Sequence, residues 1–396
     1  MTDSRFTDYA ARLAEFIQDG VARPLPRPVT DSTEIKADPR FDAFALELFA
    51  LQFETNSPYR TFCLNRSLSP ATVRDWREIP AIPAVAFKEL DLTSLPPAER
   101  STVFHSSGTT EQQPSRHYHN GHSLEVYEAS LLAWFQMHWG DDADGQPDRP
   151  SGLTLLFLTP PPTSAPHSSL VHMFDTIRRV GESQNPLGME AAHSEHAEAV
   201  FLGIADGAGA WELDWPNLRS RLQRSVQRRQ PVGILGTAFN FVHLLDHLAA
   251  EELRFELPRG SRLLETGGYK GRSRALSKAE LHACLAQELG VPPSHILSEY
   301  GMSELSSQAY DGVMGQENRE RTFQFPPWAR AQIISPETGR EAPEGETGII
   351  HVLDLANLRS VAAIQTEDLG VRHNHGFLLH GRAASSEPRG CSRMAI

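Results

Sequence analysis

The chain's 396 residues suffice for one large α/β domain or two ordinary ones, and a composition of 40% hydrophobic and 22% charged residues excludes wholesale disorder. Fifty acidic against 37 basic side chains give a formal charge of −13, which makes a nucleic-acid backbone an unfavourable partner. Three cysteines, Cys63, Cys284 and Cys391, are too few and too scattered for a disulfide framework or a Cys-rich zinc site, so a reducing cytoplasm is the expected location.

The opening MTDSRFTDYAARLAEF reads as an amphipathic helix and lacks the basic-then-apolar order of a signal peptide. No window approaches ~18 uninterrupted apolar residues, so no membrane-spanning helix is expected. The first hundred residues look helical. Within them FDAFALELFALQF (41–53) places apolar side chains on nearly every turn, predicting a largely buried helix that Asn56, Ser57 and Pro58 break. The Pro-rich stretches 24–28 and 159–166 read as surface loops. LTLLFL (153–158) is a predicted strand, the arginines of 219–229 fall on the solvated face of an amphipathic helix, and PVGILG (231–236) is a strand feeding a helix. Further strands are predicted at 262–265, 330–334 and 348–353, with a helix over 274–290. Cys63 and Cys284 fall in predicted helices and should be buried. Strands alternating with helices predict an α/β fold, organised as one compact catalytic domain over 1–380 with a short tail, 381–396, that carries Cys391.

Three segments carry candidate chemistry. His105-Ser106-Ser107-Gly108-Thr109-Thr110 sets small hydroxyl residues around a glycine, so backbone N–H groups and hydroxyls can approach a phosphate unobstructed. It is not a Walker A loop, because GxxxxGK[ST] is absent, and taken alone it also fits an ordinary turn. Thr266-Gly267-Gly268 follows a predicted strand, where glycines let a flat ring lie against the backbone. Further on, within ILSEYGMSE (296–304), Tyr300 offers an aromatic face for adenine and Glu304 a carboxylate for Mg²⁺; a core tyrosine and a helix-capping glutamate is the other reading. In Gln365-Thr366-Glu367-Asp368-Leu369-Gly370, an Asp at a turn can accept both ribose hydroxyls, and Arg382 can reach the ribose or a phosphate. The apolar segment 239–245, with Phe239, Phe241 and His243, follows a predicted strand end and is the candidate entrance for an acid's chain. His243 and His247, and His193 and His196, lack a third ligand at a telling spacing, and no Ser-His-Asp set stands out.

In fixed order these segments resemble the adenylate-forming superfamily of acyl-CoA synthetases and adenylation domains. SSGTT resembles its phosphate loop, TGG its adenine-side loop, YGMSE its Tyr-Gly-x-Thr-Glu motif, GETG (345–348) its Gly-Glu-x-Gly turn, and TED with Gly381-Arg382 its ribose and hinge motifs. The nearer resemblance is to LuxE-type acyl-protein synthetases, carried by ELFALQFETNSPYRTFC (47–63), IPAVAFKE (82–89), HSSL (167–170), TGGYKG (266–271), EYGMSELSSQAYD (299–311) and RGCS (389–392).

The resemblance implies the large N-terminal domain of an adenylate-forming enzyme, with β-sheets flanked by helices and the usual C-terminal domain missing or reduced to a short tail. It implies ATP and Mg²⁺ as cofactors, a fatty or other carboxylic acid as substrate, and an acceptor protein such as a reductase or carrier. It adds Gly301 and Ser303 to the ATP site and makes Cys391 the thiol that takes the acyl group from acyl-AMP, a step suited to a thiolate flanked by Arg389 and Arg393. Glu111, Gln112 and Gln113 depart from the superfamily's Gly and Lys after the phosphate loop. Two alternatives stay open: a ligase that hands its acyl group directly to coenzyme A or a carrier thiol, and a non-catalytic nucleotide-binding assembly protein.

Overall fold

The computed structural model describes residues 2–22, 39–106, 113–140, 153–182, 198–205, 211–267, 276–317 and 320–383. Its longer helices are α1 (Thr2–Val21), α2 (Pro39–Thr55), α3 (Ser57–Leu64), α4 (Ala86–Glu89), α5 (Gly121–Trp139), α6 (Ser169–Glu182), α7 (Trp215–Arg228), α8 (Ala238–Ala250) and α9 (Lys278–Leu289). The strands are β1 (Ile82–Pro83), β2 (Thr102–His105), β3 (Arg116–His119), β4 (Thr154–Phe157), β5 (Ala199–Phe201), β6 (Gly203–Ala205), β7 (Trp211–Leu213), β8 (Val232–Thr237), β9 (Arg262–Thr266), β10 (Ile296–Tyr300), β11 (Ala309–Tyr310), β12 (Ala329–Ile334), β13 (Thr347–Asp354), β14 (Ala363–His373) and β15 (Gly376–Arg382).

The first sheet has six strands in the order β11-β10-β9-β8-β4-β5, all parallel except β11. Its apolar runs are continuous because both faces are covered. Side chains alternate across it. Leu155, Phe157, Leu235, Leu264 and Leu297 join the larger core cluster on one face, while Leu156, Ile234, Leu263 and Ile296 join a second cluster with α8 and α9 on the other. The strands predicted at 153–158, 231–236 and 262–265 are thus β4, β8 and β9, and those at 330–334 and 348–353 are β12 and β13.

The second sheet runs β1-β14-β13-β12, with β15 also paired to β14. It is antiparallel except at β1, where Ile82 and Pro83 lie in parallel register with Ile364 and Gln365. Two ribbons, β2-β3 and β6-β7, complete the sheets of the described residues.

Local signals explain most helix ends. Ser277 caps α9 reciprocally with Glu280, and Gly290 closes it with φ +68°, so the helix expected over 274–290 occupies 278–289. The buried helix expected at 41–53 is α2. Asn56 ends it and also begins α3, accepting from Tyr59 N at 3.2 Å with Pro58 in the first turn. α7 buries Leu218 and Leu222 while Arg219 and Arg221 pair outward with Glu251 and Glu198 at 2.7 and 2.6 Å. Cys63 is buried in α3, whereas Cys284 in α9 is only half-buried, contrary to expectation: it packs at the edge of the second cluster. Among the described residues no helix is long and apolar enough to cross a membrane.

Candidate active site

The C-terminal ends of β9 and β10, the neck of the β2-β3 ribbon and the β14-β15 pair supply the candidate residues. β10 ends at Tyr300, only 7% exposed, whose hydroxyl donates to Asp368 Oδ2 at 2.9 Å. Its ring packs among Phe323, Phe325 and Phe377, with centroids 5.9, 6.2 and 5.4 Å away. Little of the expected adenine face is therefore open, and Tyr300's polar contribution runs through Asp368.

Asp368 does not lie at a turn, as the sequence suggested. It sits within the 11-residue β14, in register with Arg382 of β15, because Thr366 and its neighbours continue the ladder that the Asp-Leu-Gly pattern disguises. Arg382 Nε lies 3.6 Å from Asp368 Oδ1, and Asp368 N donates to Thr366 Oγ1 at 3.1 Å. Burial raises the Asp368 carboxyl above its ordinary range, with the Tyr300 hydroxyl and Arg382 acting against the rise.

Beyond Tyr300 the chain leaves the sheet in an irregular segment that carries Ser303 and Glu304. Gly301 has no positive φ; a Cβ there would collide with the Glu299 carboxylate, while Gln308 would be in ordinary contact. Its requirement is space for the strand's own carboxyl. Ser303 Oγ donates to the His105 carbonyl at 3.1 Å, and His117 Nδ1 donates to the Ser303 carbonyl at 2.9 Å. Burial pushes His117 down to about 4, so the ring is neutral and the bond fixes its tautomer. The expected ATP contact Ser303 thus spends its proton tying this segment to the end of β2.

Glu304 is 5% exposed, and the Ser115 hydroxyl bonds to its carboxyl. Burial raises its pKa and Glu367 adds to the rise, while Ser115 and Lys88 oppose it. A buried carboxylate facing a second carboxylate is an anion short of positive charge, the condition under which a cation arriving with phosphates is held. Among the described residues no group of three or more His, Cys, Asp or Glu could hold an ion alone. Glu304 therefore fits a magnesium ion whose other ligands are phosphate oxygens and water.

Ser106 and Ser115 clasp each other at the neck of the phosphate-loop candidate: Ser115 N donates to Ser106 Oγ at 3.0 Å, and Ser106 N to Ser115 Oγ at 3.3 Å. Ser115 was not a sequence candidate, although it touches both the loop and Glu304. Ser107, Gly108, Thr109 and Thr110 lie outside the described residues, as do Gly268 and Cys391. Gly267 ends β9 exposed, and a Cβ there would meet nothing within 4 Å, so the strand end is left bare.

The candidate acid-binding residues do not act as a set. Phe239 and His243, one turn apart on α8, are half-buried, and their rings lie tilted against each other with centroids 4.3 Å apart. Phe241 points the other way and is fully buried in the second core cluster, because positions two apart on a helix face opposite sides. Phe241 is thereby removed from the substrate candidates.

Residues 204–394 match the family model described as acyl-protein synthetase, LuxE. A long-chain-fatty-acid–luciferin-component ligase of Vibrio harveyi is 22% identical over 327 residues, which cover 82% of this chain and 76% of that protein. Among solved structures, 2-hydroxyisobutyryl-CoA ligase in the postadenylation state with 2-HIB-AMP superposes with a TM-score of 0.55 at 14% identity, covering 87% of this chain and 67% of that one. ATP-bound MatB from Rhodopseudomonas palustris matches with a TM-score of 0.47 at 16% identity, and there 73% of this chain covers about half, 49%, of the other. The fold is that of the adenylate-forming ligases.

Proposed function

From the match of residues 204–394 to the family model described as acyl-protein synthetase, LuxE, we propose that this chain uses ATP to activate a fatty acid as acyl-AMP and then passes the acyl group to Cys391 and on to a partner protein. The observation that carries this reading is the convergence of Ser106, Ser303, Glu304, Tyr300, Asp368 and Arg382, drawn from five segments of the chain, through the Ser106–Ser115 clasp and its bond to Glu304, the Ser303–His105 and Tyr300–Asp368 hydrogen bonds, and the 3.6 Å Asp368–Arg382 contact.

Asp368, oriented by the Tyr300 hydroxyl, receives the ribose, with Arg382 beside it. The bare strand end at Gly267 leaves room for the base. Glu304 would hold the magnesium that enters with ATP, and that ion would neutralise charge on the phosphates as pyrophosphate departs. The substrate carboxylate attacks the α-phosphorus in line, so the chain's task is to position the two anions and screen their repulsion. The acid's chain enters beside Phe239 and His243. Residues 1–380 form the adenylating unit in this reading, and the 381–396 segment brings the thiol.

The test is acid-dependent exchange of labelled pyrophosphate into ATP across a panel of fatty and aryl acids. Exchange that rises with fatty-acid chain length supports the reading. No exchange with any acid while ATP still binds leaves a nucleotide-binding protein instead. Efficient transfer to coenzyme A with no labelled protein would replace the self-acylation step.

A further inference from the structure

The phosphate-loop candidate is short of positive charge. Glu111, Gln112 and Gln113 follow it, and the Glu367 carboxylate acts electrostatically on both Glu304 and Asp368, raising each. A polyphosphate brought there needs a cation beyond magnesium. Arg116 at the loop's far neck is held by Asp91, Nη1 to Oδ1 at 3.1 Å, and Arg382 lies against Asp368.

We infer that Lys88 is a phosphate-binding residue of this site and that its ammonium meets the β- and γ-phosphates of ATP, supplying the charge that the loop itself lacks; the inference rests on the proposed adenylation reading.

The placement follows from the backbone on two sides. β1 lies parallel to β14 at Ile364 and Gln365, and Ala84 N donates to the Gln365 carbonyl at 2.9 Å, so α4 rises directly beside Thr366-Glu367-Asp368. On the other side Arg116, the first residue of β3 after the loop, donates from Nη2 to the Lys88 carbonyl at 3.4 Å. Phe87 anchors the turn: it is fully buried and meets the His117 ring at 6.3 Å. The Lys88 side chain is half-buried and its charge acts on Glu304. The short helix thus stations Lys88 between the loop's neck and the carboxylate assigned to the metal.

Composition points the same way. The chain has four lysines against thirty-three arginines. Lys278 is committed to buried Asp311 at 2.7 Å, and Lys36 and Lys270 lie outside the described residues. Arginine fills the chain's surface cation positions almost throughout, so a lysine here reflects a need for a compact ammonium with three rotatable donors, which suits a phosphate as a point charge.

The experiment is calorimetric titration of wild type, Lys88→Ala and Lys88→Arg with ATP, with AMP and with a non-hydrolysable acyl-sulfamoyl adenosine. Lys88→Ala should weaken ATP about 10- to 100-fold, leaving AMP and the acyl-adenylate mimic, which lack the β- and γ-phosphates, at wild-type affinity. Lys88→Arg should recover part of the ATP loss. An unchanged ATP affinity, or equal weakening of all three ligands, overturns the inference, the latter because it describes a lysine that merely supports the site. Because this readout needs no turnover, a wild type that binds ATP yet shows no acid-dependent exchange defeats the adenylation reading while the ATP-against-AMP contrast still judges Lys88.

Discussion

Two buried glutamates on adjacent strands make the chain's stability depend on pH in a way that Glu299→Gln should expose. Glu265 and Glu299 are each 5% exposed and are pushed from 4.5 to about 7, chiefly by burial, with Asp311 adding to the rise of Glu265 and Glu265 to that of Glu299. Both bind a proton more firmly folded than unfolded. Their stabilising contribution is therefore whole below the unfolded pKa near 4.5 and is lost as pH rises through about 7. A rise of this size corresponds to about 3 kcal/mol for each group. Glutamine at 299 keeps an acceptor for the Thr266 hydroxyl that bonds to this carboxyl, but has no charge to desolvate. It should therefore match wild type within ~1 kcal/mol at pH 4.5 and exceed it by about 2–3 kcal/mol at pH 8.5. Urea unfolding at pH 4.5, 5.5, 6.5, 7.5 and 8.5, analysed by linear extrapolation at constant slope, measures this. Glu265 keeps its own rise, which burial and Asp311 set, so the variant's own decline should shrink to about half of wild type's. Parallel stability curves separated by a constant gap would refute the reasoning, since the difference would then be packing, not ionisation.

Glu304→Gln, which removes the charge but preserves the shape around Ser115, should lower acid-dependent pyrophosphate exchange by at least about 100-fold with an unchanged far-UV circular dichroism spectrum; near wild-type exchange would sink its metal role. Tyr300→Phe removes the hydroxyl that holds Asp368 and should weaken ATP about 10-fold, while Asp368→Ala should also erase discrimination between ATP and 2′-deoxy-ATP. If that discrimination survives in Asp368→Ala, the ribose lies elsewhere. Cys391→Ser should keep pyrophosphate exchange and lose the hydroxylamine-sensitive label from radioactive fatty acid; label persisting in the variant would exclude Cys391 as the acyl carrier.

What was readable in the sequence was whatever repeats with a period or reacts with a distinctive side chain. Leu153–Leu158, 231–236 and 262–265 announce strands because a parallel sheet covered on both faces demands unbroken apolar runs. In the second sheet the short runs 330–334 and 348–353 announce β12 and β13, but the partial exposure of β14 leaves no such run. That strand, the sheet's longest, has the burial of a half-covered element and carries Glu367 and Asp368 amid its ladder, so QTEDLG reads as a turn. The site motifs were legible as residues but not as bonds. Nothing in YGMSE says that the Tyr300 hydroxyl reaches Asp368, a residue 68 positions away, or that its ring sits among Phe323, Phe325 and Phe377. Phe241 was misjudged because an apolar helix segment reads the same whether it faces a ligand or a core.

The site segments that lack secondary structure raise a separate question, namely what holds Glu304 still. Asp354, fully buried at the end of β13, accepts from Ser306 N, Ser307 N, Ser307 Oγ and Ala356 N at 2.7–3.0 Å, fixing the chain just past Glu304. Asn357 Nδ2 donates to the Glu304 carbonyl at 2.9 Å. The Asn357 segment is in turn held by α2, where Gln52 Nε2 donates to the Asn357 carbonyl at 2.7 Å and Gln52 Oε1 accepts from Ala362 N at 2.8 Å. A polar side chain inside the apolar run LFALQF costs burial energy unless its donors and acceptors are met, and here they are met by the backbone of an irregular segment that has no ladder to satisfy it. The break in the hydrophobic pattern at Gln52 is therefore the sequence's record of the segment that buttresses the site, more than three hundred residues away. It also gives α2, which contributes no proposed ligand contact, a part in holding the carboxylate in place.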